Sequence, residues 1–398
     1  MTSDDTPSSA AFAVVIAGGG VAGAEAALAL RDLAGDRVDI TLVAPNDELV
    51  YRPMTVGEPF GHAKAARIRL DRIAEEHGID LVKDSFAWVD RNSRTAHMQS
   101  GRPLYYDALI LCLGANVRPR FQHAITIDDR ALDEQLHGLV QDVEEGYVKS
   151  LAFIVPGRRA WPLPIYELAL MTAARAAEMN VELAITLLTP EQTPLEIFGA
   201  GASQGVSALL DQAGVELIPA TDCDVPRSGQ IVITRAGSAR ERRSADHRPR
   251  ELQVDRIVAA PELVGPQVRG IPGGLNGFIP IDPHCQVRGV ERIYAAGDAT
   301  DFVIKFGGAA AQQADTAARA IAALAGAPVT PTPFHPVIRG VLMTGNKPRY
   351  LSARVTGGHG FNSQITEAPT WAPVNKIDAH YLAPYLTPSG SDRGDRRA

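Results

Sequence analysis

The chain has 398 residues, 45% hydrophobic and 21% charged, with a formal net charge of −7. That length allows two or three domains and the composition fits a folded core, which excludes a single small module and a wholly disordered chain. The acidic balance argues against nucleic acid as a partner. Three cysteines, Cys112, Cys223 and Cys285, form no CxxC or CxxxxC pair, so a disulfide framework, a zinc site and a sequence-local redox dithiol are excluded.

The apolar run Ala11 to Leu30 has the length of a membrane span, but it carries four glycines and Glu25, and the leader before it is acidic rather than basic. It reads as strand (Ala13 to Ile16), tight turn and helix (Ala22 to Leu33), completed by the strand Val38 to Val43 as a βαβ unit. No other run has span length, which points to a cytoplasmic protein, with room for peripheral membrane contact by a short element. Tyr106 to Ala115 is a buried strand ending in a turn at Gly114. A second α/β series follows: strand Leu151 to Val155, helix Ile165 to Ala177, strand Ala184 to Leu188, helix Ser203 to Gln212 and strand Val215 to Pro219. Arg235 to Arg250, with six arginines, reads as the solvated loop of a hairpin between IVIT and LQVDRIVAA. The strand Arg292 to Asp298 leads into an Ala-rich helix from Ala309 to Ala325, stopped by Gly326 and Pro328. Pro331 to Leu386 reads as an irregular, β-containing cap, and 389–398 as a disordered tail.

Gly18, Gly20 and Gly23 spell GxGxxG at a strand-to-helix junction. The first allows the tight turn, the second lets a pyrophosphate approach the backbone, and the third permits close helix packing, with the anion at the helix N-terminus. The acid expected at the end of the second strand is missing: Ala44 stands there, and Asn46 and Asp47 lie just beyond. The second cluster, IYAAGDAT from Ile293 to Thr300, places Asp298 where a carboxylate can accept hydrogen bonds from a polyol. The helix start after it offers amides to an electron-rich ring edge, an arrangement that suits FAD.

IAGGGVAG, LILCLGA and IYAAGDAT, in this order, resemble the FAD-dependent pyridine nucleotide-disulfide oxidoreductase superfamily. VYRPMTVGEP, WPLPIYELAL, LLTPEQTPLEIFG and KFGGAAAQQAD are similar to its sulfide:quinone oxidoreductase and type II NADH dehydrogenase branch. The resemblance implies an α/β fold with two dinucleotide-binding, Rossmann-like domains and a C-terminal cap. The expected division is 1–120 and 263–330 for the FAD-binding domain, 121–262 for an NAD(P)-binding-like domain and 331–388 for the cap. It implies a cofactor site at Gly18, Gly20, Val21, Ala22, Gly23, Arg52, Pro53, Phe86, Gly114, Ala115, Gly297, Asp298, Lys305, Gly307, Gly308 and Ala309. Arg52 and Pro53 would lie along the flavin, and Lys305 with Gly307 to Ala309 would face its pyrimidine end. A cation such as Lys305 there would raise the flavin potential.

The departures narrow the chemistry. Tyr51 to His62 holds no cysteine, which excludes disulfide reduction through the superfamily dithiol. The stretches that carry cysteines in sulfide:quinone oxidoreductases read VPGRRAWPLP and DFVIKFGG here, so persulfide chemistry has no thiol. The second half lacks a glycine turn: prolines remove amides and Trp161 adds bulk, which weighs against NAD(P)H, while Arg158 and Arg159 offer guanidinium groups to a phosphate. GAGASQG, Gly199 to Gly205, reads as a turn opening a helix. Trp371, Tyr381, Tyr385, Leu382 and Leu386 form an apolar stripe assigned to core packing. The expected protein passes electrons from a small-molecule donor through FAD to a quinone-type acceptor, without nucleic acid or metal. NAD(P)H:quinone dehydrogenase and a non-catalytic flavin sensor are the alternatives, and a homodimer is compatible with each.

Overall fold

The computed structural model describes residues 11–128, 131–157, 160–237, 249–356 and 360–387. Arg158, Arg159, most of the arginine-rich segment and the tail lie outside the described residues. Two five-stranded sheets organise the rest. The first runs in the order Ile293–Ala295, Ala108–Leu111, Phe12–Ala17, Val38–Ala44, Asp80–Lys83. Every pairing in it is parallel, with Ala17 opposite both Val43 and Leu111. Strands buried on both faces need continuous apolar runs, and VVIA and ALIL supply them. Two strands of this sheet, Ala108–Leu111 and Ile293–Ala295, arrive after long excursions, so the first half is assembled from segments far apart in sequence.

The helices Val21–Ala34 and Gly307–Leu324 cover one face of this sheet, and their alanines let them approach closely. Ala22, Ala24, Ala26, Ala310, Ala311, Ala314 and Ala318 are all buried. A Cβ on Gly297 would lie 3.2 Å from Ala310 and 3.3 Å from Ala22, so both helix starts and the Gly-Asp turn converge on one spot.

The second sheet runs Ile125–Thr126, Arg256–Ala259, Ser150–Ile154, Ala184–Leu188, Val215–Ile218, again all parallel. Its helices Leu163–Glu178 and Gly199–Gln212 begin earlier than the sequence suggests, and GAGASQG is the first half of the latter helix. The expected hairpin forms between Gln230–Arg235 and Arg250–Gln253. LQVDRIVAA then divides: Arg256–Ala259 leaves for the parallel sheet, where the Asp255 carboxylate accepts the N–H groups of Lys149 and Ser150 at 2.9 Å.

The C-terminal region straps the two halves together. Strands Ile338–Leu342, Arg349–Thr356 and Gly360–Thr366 form an antiparallel sheet. Its Ile338, Leu342 and Leu351 pack into the second half's core, beside Leu163 and Phe198, whereas Ile377, Leu382 and Leu386 pack into the first. The aromatic stripe is largely internal, as expected. Leu382 and Leu386 are buried, and the Tyr385 hydroxyl lies 2.6 Å from Glu76 Oε2 and 2.9 Å from His77 Nε2. Among the described residues no helix is long and apolar enough to cross a membrane.

Candidate active site

The glycine turn separates what the fold requires from what a ligand requires. Gly18 has φ +115°, and a Cβ there would fall 2.2 Å from the Cys112 carbonyl oxygen; a Cβ on Gly23 would fall 1.8 Å from the Gly18 oxygen. Those two glycines serve backbone packing. A Cβ on Gly20 meets nothing within 4 Å among the described residues, so its bareness serves none of their contacts. Gly20 caps the helix Val21–Ala34 without any side-chain hydrogen bond or first-turn acid. The amides around Val21, Ala22 and Gly23 thus form an uncapped, electropositive end, suited to a diphosphate. The turn Gly114 to Ala115, with Gly114 at φ +68°, follows the neighbouring strand.

Asp298 lies in the short turn Gly297–Ala299. It is half-buried, and no described residue donates a hydrogen bond to its carboxyl. Burial pushes its pKa up, while Lys305 and Arg52 pull it down, so Arg52, far off in sequence, shares the neighbourhood of Asp298 and Lys305. The Gly297 amide donates to Gln313 Oε1 at 2.8 Å, and the buried Nε2 of the same side chain finds no acceptor among the described residues. An uncapped helix end, an acceptor without donors and a donor without an acceptor fit a group carrying phosphate, polyol and an electron-rich ring. The residues present therefore suit FAD.

Lys305 is 4% exposed; its ammonium donates to the Thr300 carbonyl and lies 4.2 Å from the centre of the Phe278 ring. Gly307 and Gly308 have protein-side reasons: their Cβ atoms would fall 2.7 Å from Ile377 and 2.8 Å from the Phe306 ring. Ala309 is buried, and Phe86 is half-buried at the start of the strand Phe86–Asp90, packed on the first core. Asp47, weighed for a ribose contact, is an exposed partner of Lys83 at 2.6 Å.

Three residues outside the sequence-based set complete the site. Arg52 and Pro53 open a 3-10 helix, Arg52–Phe60. The Pro53 carbonyl accepts from Lys376 Nζ at 2.9 Å, and Glu167 Oε1 takes the same ammonium at 2.6 Å. Glu167 Oε1 also accepts the Met343 amide at 2.9 Å. Burial pushes the Glu167 carboxyl up and Lys376 holds it down. The Tyr51 hydroxyl accepts the Lys376 amide at 2.6 Å. Glu167 was the detectable signal: an acid inside the apolar helix run PIYELALM must find a buried cation.

The second half offers little to a nucleotide ribose. Glu191, just past the strand Ala184–Leu188, is buried, with Oε2 2.8 Å from the Tyr166 hydroxyl and 2.9 Å from Thr189 Oγ1. Trp161 is stacked on Phe306 at 4.7 Å and 16°, so its bulk meets the start of the helix Gly307–Leu324. All three cysteines are buried, with thiols pushed up by desolvation, Cys223 to about 12. Among the described residues no group of His, Cys, Asp and Glu could hold a metal.

Residues 12–146 match the family described as pyridine nucleotide-disulphide oxidoreductase. The matched stretch holds the glycine turn at Gly18 to Gly23. Solved structures share the fold. The chain is similar to the sulfide:quinone oxidoreductase of the hyperthermophilic bacterium Aquifex aeolicus, with TM-score 0.77 and 18% identity over 90% of this chain and 87% of that one. It is also similar to the ferredoxin reductase of Rhodopseudomonas palustris, with TM-score 0.59 and 19% identity over 87% and 83%. Against NDH2 from Plasmodium falciparum in complex with NADH, the TM-score is 0.58 with 14% identity over 74% and 65%.

Proposed function

We propose that the protein passes electrons from a small-molecule donor through FAD to a quinone. The pyrophosphate would lie on Gly18 to Gly23, the ribitol against Asp298, and the ring beside Arg52, Pro53 and Lys305. Bound FAD supplies a two-electron relay. The observation that carries the acceptor reading is the buried Lys376–Glu167 pair, tied to the Pro53 carbonyl.

Reducing a quinone to a quinol consumes two electrons and two protons, and a site closed to water must deliver those protons through its own side chains. Lys376 has three donors, of which Glu167 and Pro53 take two, leaving one for a quinone carbonyl. Once Lys376 has given its proton, Glu167, its carboxyl pushed up by burial, must take up a proton from outside the site before it can pass one back to the amine. The donor is a small molecule that needs no protein thiol, since every cysteine is buried. NAD(P)H would have to dock without Glu191. A quinone acceptor makes the protein peripheral to a membrane, on its cytoplasmic side.

The test is anaerobic. The holoprotein, reduced by dithionite, is mixed with decylubiquinone while the flavin absorbance is followed. Rapid return of the oxidised band, slowed in Lys376→Met at unchanged flavin content, supports the reading. A reduced flavin that quinone leaves untouched overturns it.

A further inference from the structure

The segment that delivers Lys376 is anchored from the far side of the first half. Glu25, fully buried in the helix Val21–Ala34, accepts three of its backbone N–H groups. His380 and Tyr381 donate to Oε1 at 2.6 and 2.9 Å, and Leu382 donates to Oε2 at 2.6 Å. Three donors on one carboxyl favour its ionised form and fix the backbone that provides them. His380 stands only four residues beyond Lys376. Between them Ile377 is wedged against Gly307, and its amide reaches the Tyr51 hydroxyl at 3.3 Å.

Asp315, on the helix Gly307–Leu324, is close enough to Glu25 for each carboxyl to shift the other's pKa. Its Oδ1 is buried without a donor among the described residues. With both carboxyls ionised the contact is a repulsion; with a proton on Asp315 it is a hydrogen bond to Glu25. Burial, then Glu25, push Asp315 up to about 9.

The other charges around it come from each packed element. Arg319 on the same helix pulls Asp315 down, and Asp378 pushes it up while paired with Arg339 at 2.7 Å. Tyr381 has its own pKa raised, first by burial and then by the Asp32 charge, and His380 packs on it at 4.5 Å. Burial also raises Glu25, opposed by its three N–H donors and Asp315.

We propose that Glu25 is the positioning residue for Lys376: through the proton it shares with Asp315 it clamps residues 380–382 and so fixes the ammonium that serves the acceptor. This rests on the quinone reading above. Because the folded value of Asp315 is raised, the clamp is intact at low and neutral pH and is lost as pH rises through that value.

The deciding readout is amide hydrogen exchange over residues 376–386 of the holoprotein, with wild type and variants compared at equal pH. Asp315→Asn keeps a neutral donor toward Glu25 at every pH. At about pH 7 it should protect the segment as wild type does, and at about pH 10 it should retain protection that wild type has lost. Glu25→Gln puts an amide NH2 against a backbone N–H and should speed exchange by about tenfold at neutral pH. The same variants are then assayed by quinone reoxidation. Glu25→Gln should raise the decylubiquinone concentration needed for half-maximal rate, and Asp315→Asn should remove the alkaline fall of the wild-type profile. Equal protection of wild type and Asp315→Asn at about pH 10 overturns the clamp, even if Glu25→Gln fails to fold. A wild-type flavin inert to quinone overturns the acceptor reading and with it the role of Lys376, while exchange still decides the clamp.

Discussion

Lys376 Nζ and Glu167 Oε1 lie 2.6 Å apart with side chains only 5% and 2% exposed. They come from segments 209 positions apart, so this ion pair ties the cap to the second half beside the Pro53 carbonyl. Removing one partner strands the other charge in a dry site, at a cost of about 3–5 kcal/mol, whereas replacing both with apolar residues is far milder. Lys376→Met and Glu167→Gln are therefore each expected to lower stability in urea unfolding, and a Lys376→Met/Glu167→Leu double variant to recover most of it. The double variant should still fail to reoxidise with quinone. Near-additive losses in the double variant would contradict a direct pair.

The glycine turn predicts two different failures. Gly20→Val, with open space at its Cβ, should yield a folded protein purified without its yellow flavin band. Gly23→Ala, whose Cβ collides with the Gly18 oxygen, should lower the unfolding free energy of the apoprotein by about 1–3 kcal/mol. A Gly20→Val protein with full flavin content would remove the pyrophosphate from this turn.

Asp298 carries a raised pKa and, among the described residues, no hydrogen-bond donor, so it costs apoprotein stability above the ordinary carboxylate range. Asp298→Ala should leave the apoprotein as stable as wild type or more so at neutral pH. Flavin affinity should drop by about 10–100-fold, the value of a charge-assisted hydrogen bond of about 1.5–3 kcal/mol. Flavin titration of the apoprotein by fluorescence quenching measures this, and an unchanged dissociation constant argues against a ribitol contact.

Glu191 is committed to Tyr166 and Thr189, and the second half has no glycine turn. An anaerobic titration with NADH and then NADPH is expected to leave the flavin absorbance oxidised. Rapid bleaching would instead make the second half a working nucleotide site and the protein an NAD(P)H dehydrogenase.

Much of this was legible because local patterns carry local geometry. The turn at Gly18 to Gly23 follows from glycine spacing between an apolar strand and an alanine-rich helix, and both helices flanking the site were expected within a few residues of their ends. LQVDRIVAA was harder, since both of its strands have similar composition and only their partners distinguish them. Gly307 and Gly308 looked like ligand contacts; the structure gives them packing neighbours in Ile377 and Phe306.

The sequence by itself determined the two α/β halves, the dinucleotide turn, the Gly-Asp box and the absence of a local dithiol, since each is a matter of residue type at short spacing. Only the tertiary structure decided which charges meet. Lys376 reads as a surface lysine in a polar stretch, and Glu25 and Glu167 as misfits in apolar helices. Pairing them requires knowing that residues 376–386 fold back onto both halves, a contact between distant segments whose geometry no short-range pattern encodes.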